Sequence, residues 1–189
     1  MSVGRWGTGL AATGVLVATG VWAMGPGADG AHGRTGVDEH LWSEVRPVIE
    51  ARLVADSRGG GYGEAVPGLR AGWFCRAQAR DLEERDGLVR AGVSTLCLEY
   101  GVRTGALLEC GGAQGPQVLR LRRDTGADGG FRVVSAQRPP DGAGYGQWVD
   151  AHFDHDADAD TGDAVPTDAL EAAARDDFGL PASAPVRGC

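Results

Sequence analysis

Residues 69–103, LRAGWFCRAQARDLEERDGLVRAGVSTLCLEYGVR, decide the fold. The first half alternates, with Trp73, Cys75, Ala77 and Ala79 on one face and Arg76, Gln78 and Arg80 on the other, the period of a half-buried strand. Asp86-Gly87 is a two-residue hairpin signal, because both turn positions need the positive φ that Asp and Gly tolerate. The second half is a matching strand with Leu96, Leu98 and Tyr100 on one side. If every residue pairs, opposite positions have numbers summing to 173, which sets Trp73, Cys75 and Ala77 against Tyr100, Leu98 and Leu96 as one apolar face.

The strand pattern continues outward. Thr104-Gly105 leads into ALLEC at 106–110, and QVLRLRRD at 117–124 and FRVVSAQ at 131–137 read as further strands. Upstream, VDEHLWSEVRPVIEARLVAD at 37–56 is helical. Leu41, Val45, Val48, Ile49 and Leu53 recur at helical spacing, Asp38 and Glu39 suit its first turn, and Pro47 should kink or divide it. GGGYG at 59–63 follows this helix rather than a strand, so it reads as linker and not as a phosphate cradle. Downstream, YGQWVDAHF at 145–153 is a short helix, 154–166 an acidic loop, and 167–178 a last helix with Thr167 as cap and Gly179 and Pro181 ending it. The expected class is α+β: an N-terminal apolar helix, then a long helix packed on a curved antiparallel meander of four to five strands, with C-terminal helices.

Residues 1–24 carry a single charge, Arg5, and an uncharged run of 17 residues from Thr8 to Met24. This predicts a signal peptide or a transmembrane anchor, with Val21-Trp22-Ala23 as a cleavage site. No cysteine lies near it, which excludes a lipoprotein anchor. Arg5 on the short side places the N-terminus inside and the domain outside. Residues 25–36 read as a flexible linker and 37–189 as one domain. The expected location is therefore extracytoplasmic, membrane-anchored or secreted.

Four cysteines, none in a C-x-x-C, favour structural disulfides over zinc or redox motifs. A turn centred on Arg103-Thr104 brings Cys97 opposite Cys110, which leaves Cys75 for Cys189; a turn at Thr104-Gly105 breaks that register. The expected bonds are Cys97–Cys110 and Cys75–Cys189.

Chemistry is sparse. In DHDADADTGD at 154–163, Asp154, Asp156, Asp158 and Asp160 are the calcium candidates. An EF-hand loop needs Gly at position 6 and Glu at position 12. One frame offers Ala159 and Val165, the other Thr161 and Thr167, so neither closes the shell and a solvated connector is the favoured reading. His152 beside Asp154 or Asp156 is the beginning of an acid–base pair, set against a half-buried histidine at the edge of an apolar stripe. Tyr62, Trp73, Phe74 and Tyr100 are candidates to line a concave pocket, although such aromatics more often form core. All 18 basic residues are arginine, and the net charge of −8 with no basic stripe argues against nucleic acid. No catalytic residue, cofactor or resident metal is expected.

The stretches GVSTLCLEYGVRTGALLEC, WVDAHF and FGLP, with the helix-then-meander order from Val37 to Cys189, resemble uncharacterised exported or membrane-anchored actinobacterial proteins with an NTF2-like or cystatin-like domain. The resemblance implies no catalytic residues. Some NTF2-like members use an Asp–His pair in the sheet's concavity, and no such pair is matched here. The acidic loop and extra C-terminal helix depart from a plain NTF2-like order. The expected function is a membrane-tethered accessory or interaction domain, leaning non-enzymatic, with a cell-envelope protein as partner. The alternative is a small-ligand binder or NTF2-like enzyme using the concavity. A concavity filled by Trp73, Leu98 and Tyr100 would favour the first.

Overall fold

The computed structural model describes residues 37–127, 130–153 and 165–189. The expected apolar segment 1–24, the linker and the calcium candidates Asp154, Asp156, Asp158 and Asp160 lie outside the described residues. No helix among the described residues is long and apolar enough to cross a membrane.

Helix α1 spans Glu39–Ser57; Asp38 caps it by accepting the amides of His40 and Leu41 at 2.9 and 3.0 Å. It runs unbroken through Pro47, contrary to the division expected there. Burial of Leu41, Trp42, Val45, Ile49 and Leu53 against the sheet, at about 1.5–3 kcal/mol per side chain, outweighs the proline's lost hydrogen bond.

Strands β1 (Gly72–Arg85), β2 (Leu88–Arg103), β3 (Ala106–Arg123) and β4 (Phe131–Gln137) form the antiparallel meander in sequence order. Helices α2 (Tyr145–His152) and α3 (Asp168–Asp177) follow, and β5 (Val186–Gly188) returns to pair parallel with Leu107–Glu109 of β3. The sheet is therefore five-stranded and mixed rather than wholly antiparallel. ALLEC and QVLRLRR are one strand, because GGAQGP between them keeps pairing with β2. Both hairpin turns are two residues long with positive φ throughout: 53° and 71° at Asp86-Gly87, 49° and 74° at Thr104-Gly105.

Each face of the sheet carries helix. One face packs Cys75, Ala77, Val89, Val93, Cys97, Leu119 and Phe131 under α1. The other packs Leu96, Leu98, Tyr100 and Leu107 against Leu170 and Ala174 of α3, and Val118 against Val149 and Phe153. The central strand β2 is accordingly buried along most of its length.

Three bulges set the register. Ala79 pairs with Val93 but Asp81 with Gly92, so Arg80 is the extra residue in β1. The sum of 173 holds from the turn to Asp81 and becomes 172 beyond it. Trp73, Cys75 and Ala77 therefore face Glu99, Cys97 and Thr95, not the expected Tyr100, Leu98 and Leu96. Cys110 is the extra residue in β3, where Tyr100 pairs with Glu109 and Glu99 with Gly111. Val134 is the third, in β4.

Both expected disulfides are corrected. The bonds are Cys75–Cys97 and Cys110–Cys189, with Cα atoms 4.1 and 4.8 Å apart. The β1 bulge brings Cys75 directly opposite Cys97. The turn at Thr104-Gly105 and the bulge at Cys110 together put Ala113 opposite Cys97, and the bulge frees Cys110 to meet Cys189.

Candidate functional site: a latched glycine loop beside an open strand edge

The glycine-rich segment after α1 is a built loop, organised by two glutamates. Glu64 accepts the amides of Gly59 and Gly61 at 2.7 and 3.4 Å and the Trp73 indole N–H at 3.3 Å. Glu99, fully buried on β2, accepts the amides of Gly63 and Glu64 at 2.9 and 2.6 Å. The glycines are spatial necessities. A Cβ on Gly61 would collide with the Glu99 carboxylate, and one on Gly63 would lie 2.7 Å from Ala71 Cβ and 3.0 Å from Cys110 Sγ. Gly111 pairs with Glu99, and a Cβ there would meet the carboxylate only at 3.6 Å, an ordinary contact. Sequence reading passed over Glu99 because alternation made it look solvent-facing beside Leu98 and Tyr100. Both carboxylate oxygens are occupied by backbone donors, so Glu99 latches the loop.

The latch adjoins the β5 strap. Leu107 N donates to Pro185 O at 3.0 Å, Cys189 N donates to Glu109 O at 2.9 Å, and the Cys110–Cys189 bond closes the end. Cys189 is exposed and Cys110 half-buried, whereas Cys75 and Cys97 are 6% and 5% exposed.

Beyond the strap, β3 has an open edge. β5 pairs no further than Glu109 and β4 begins at Val118, so among the described residues nothing pairs with the outer side of Gly111–Gly115. The Ala77 amide leaves the sheet to reach Glu50 Oε1 at 3.2 Å. By antiparallel alternation, Cys97 then directs its backbone groups at Ala113, and the amides and carbonyls of Gly112 and Gln114 point away from β2. Gly112, Ala113 and Gln114 are exposed, and none of residues 111–115 is charged. The outer edge of β1, by contrast, is guarded: Glu50 takes the Ala77 amide and pairs with Arg76 at 2.9 Å.

The Asp154 and Asp156 expected beside His152 lie outside the described residues, and the other candidates do not form a site among those described. His152 stacks on Trp148, ring centroids 4.1 Å apart, and its Nδ1 lies 2.7 Å from the Trp148 carbonyl. Its own carbonyl accepts from Arg90 at 2.6 Å, and Arg90 also pairs with Asp81. Phe153 lies under the Arg80 guanidinium, 5.2 Å from ring centroid, in space that Gly92 leaves free. The four aromatics considered for a pocket do not converge. Tyr62 is exposed, Trp73 packs on the α1 side, and Phe74 and Tyr100 pair on the α3 side with ring centroids 5.9 Å apart. Burial, assisted by Glu109 and Glu171 against a lowering by Arg175, holds the Tyr100 phenol well above its ordinary pKa, and its hydroxyl has no hydrogen-bond partner among the described residues. Thr95 donates to Gly115 O at 2.9 Å and receives Gln117 Nε2 at 3.2 Å. No group of three or more His, Cys, Asp or Glu among the described residues is placed to hold a metal.

No protein-family model, curated protein or solved structure matches the chain.

Proposed function

We propose that this chain is an extracytoplasmic, membrane-tethered domain without catalytic activity that binds a cell-envelope partner through the open edge of β3. The two disulfides fit an oxidising compartment, and the apolar run from Thr8 to Met24 supports the tether. The order of α1 followed by the β1–β4 meander supports kinship with exported actinobacterial NTF2-like or cystatin-like domains. The observation that carries the reading is the uncharged outer side of Gly111–Gly115, which no strand among the described residues pairs. A free ladder of this kind accepts an extended peptide by strand addition. β4 and β5 flank the gap, so it admits a short peptide of about 16 Å rather than a second sheet's edge. The competing reading, a ligand binder or enzyme in the concavity, finds Glu99 and Thr95 already hydrogen-bonded within the fold.

Photo-crosslinking in an exporting host tests this. A photoreactive residue at Gln114 should give a discrete adduct that the same residue at exposed Arg46 does not. Equal adducts at both positions, or none at Gln114, refute the edge as the docking surface. Native mass spectrometry of the same protein addresses the competitor, because an organic adduct retained on the ion would favour a ligand site.

A further inference from the structure

The open edge ends where the Cys110–Cys189 strap begins, and the two disulfides differ in exposure and in how the backbone around them is held. Cys75–Cys97 is buried between β1 and β2 beneath α1, with both backbones fixed by ladders on either side of the bond. Cys110–Cys189 joins a bulge residue to an exposed one, and the strap it fastens is otherwise held by a three-residue ladder with β3. Of β5, Arg187 and Gly188 are exposed and only Val186 packs on the core. Upstream of Pro185 the chain is anchored independently: Ala184 is buried and its carbonyl accepts from Arg175 at 3.2 Å, and Leu180 N donates to Arg175 O at 2.8 Å. Among the described residues, the bond thus fastens 185–189 and not the chain before them.

We infer that Cys110–Cys189 is a reducible clasp: an external dithiol opens it ahead of Cys75–Cys97, lets β5 leave, and lengthens the strand-accepting edge of β3 from Gly112–Gln114 to Leu107–Gln114. The dithiol's thiolate attacks the exposed Cys189 sulfur, Cys110 leaves as thiolate and takes a proton, and the second thiol displaces Cys189 from the mixed disulfide. Two electrons and two protons pass to the protein, and the dithiol becomes a disulfide. Opening frees the outward groups of Leu107 and Glu109, so the short ladder that offers Gly112 and Gln114 gains a second pair of rungs. Only this consequence rests on the edge being a docking surface; the opening itself does not.

Graded treatment of the oxidised full chain with dithiothreitol, followed by alkylation and peptide mapping, reads the order of reduction, and hydrogen exchange reads the strap. Cys110 and Cys189 should be alkylated while Cys75–Cys97 remains bonded, and Leu107 N–H should then exchange about tenfold faster or more with β2 unchanged. Reduction of Cys75–Cys97 first, or of both together, overturns the inference. Leu107 remaining protected after Cys110–Cys189 is cleaved also overturns it. If the clasp opens as described but Gln114 crosslinks nothing before or after reduction, the docking reading fails and the clasp stands.

Discussion

Removing the two disulfides separately should reverse the order that chain entropy alone dictates. The bonds span 22 and 79 residues. Loop closure in the unfolded chain alone gives about 3.4 kcal/mol for the first and about 4.5 for the second. In Cys75→Ala/Cys97→Ala the native strands stay paired, so the full 3.4 is lost, together with about 1–2 kcal/mol for the vacated sulfur volume of two buried residues. In Cys110→Ala/Cys189→Ala the native state relaxes too. Residues 186–189 regain backbone freedom worth about 1 kcal/mol each, offset in part by ladder bonds worth about 0.5–1.5 kcal/mol each. About 2 kcal/mol is therefore returned, and the net cost falls to about 2–3 kcal/mol. Equilibrium guanidinium unfolding of the two variants beside the parent measures both. The Cys75–Cys97 pair should cost more. A cost of about 4.5 kcal/mol or above for the Cys110–Cys189 pair would mean that the reduced strap stays docked, and would refute the reasoning that makes it a clasp.

Gly61→Ala forces a methyl onto the Glu99 carboxylate and should cost about 1–3 kcal/mol. Gly68→Ala, where a Cβ would meet nothing within 4 Å, should cost far less; equal losses in thermal unfolding would remove the steric basis of the latch. Tyr100→Phe deletes a buried hydroxyl with no partner among the described residues, and urea unfolding should show it stabilised by about 1 kcal/mol. The same residue sets an alkaline limit. Its phenol titrates higher in the folded chain than the ordinary 10.0, so the unfolded chain loses its proton first. Stability is intact below that value and falls as pH rises above it, toward the folded pKa. Tyr100→Phe should flatten this alkaline fall; an unchanged slope would place its cause elsewhere.

What was legible in the sequence is what obeys a period. The apolar rhythm of Leu41, Val45, Ile49 and Leu53 gave α1 nearly to the residue, and Asp86-Gly87 placed the first hairpin. β5 was illegible because three residues, two of them exposed, carry no period at all. The unbroken α1 shows tertiary burial overriding a local breaker at Pro47. GGAQGP read as a break because glycine and proline usually end strands, yet β2 holds that stretch in register from the other side.

The expected Cys97–Cys110 bond fails first at the turn, which is Thr104-Gly105; the other register errors come from bulges, since a bulge keeps composition and shifts geometry. Arg80 looks like one more polar member of an alternating strand. As the extra residue of a bulge it turns Cys75 from Leu98 to Cys97 and carries Trp73 with it. Cys110 looks like the last residue of a short strand. As a bulge it leaves the ladder, meets Cys189, and fixes the point at which β5 stops and the bare edge of β3 starts. The latch and the clasp converge there. Gly63 is held by Glu99 on one side and rests against the Cys110 side chain on the other, so no residue larger than glycine fits between them. Movement of Cys110 on reduction would therefore reach the glycine loop as well as the strap. Hydrogen exchange at Gly63, read in the same graded reduction, should rise with that at Leu107. A rise at Leu107 alone would confine the clasp to β5 and leave the Glu99 latch independent of it.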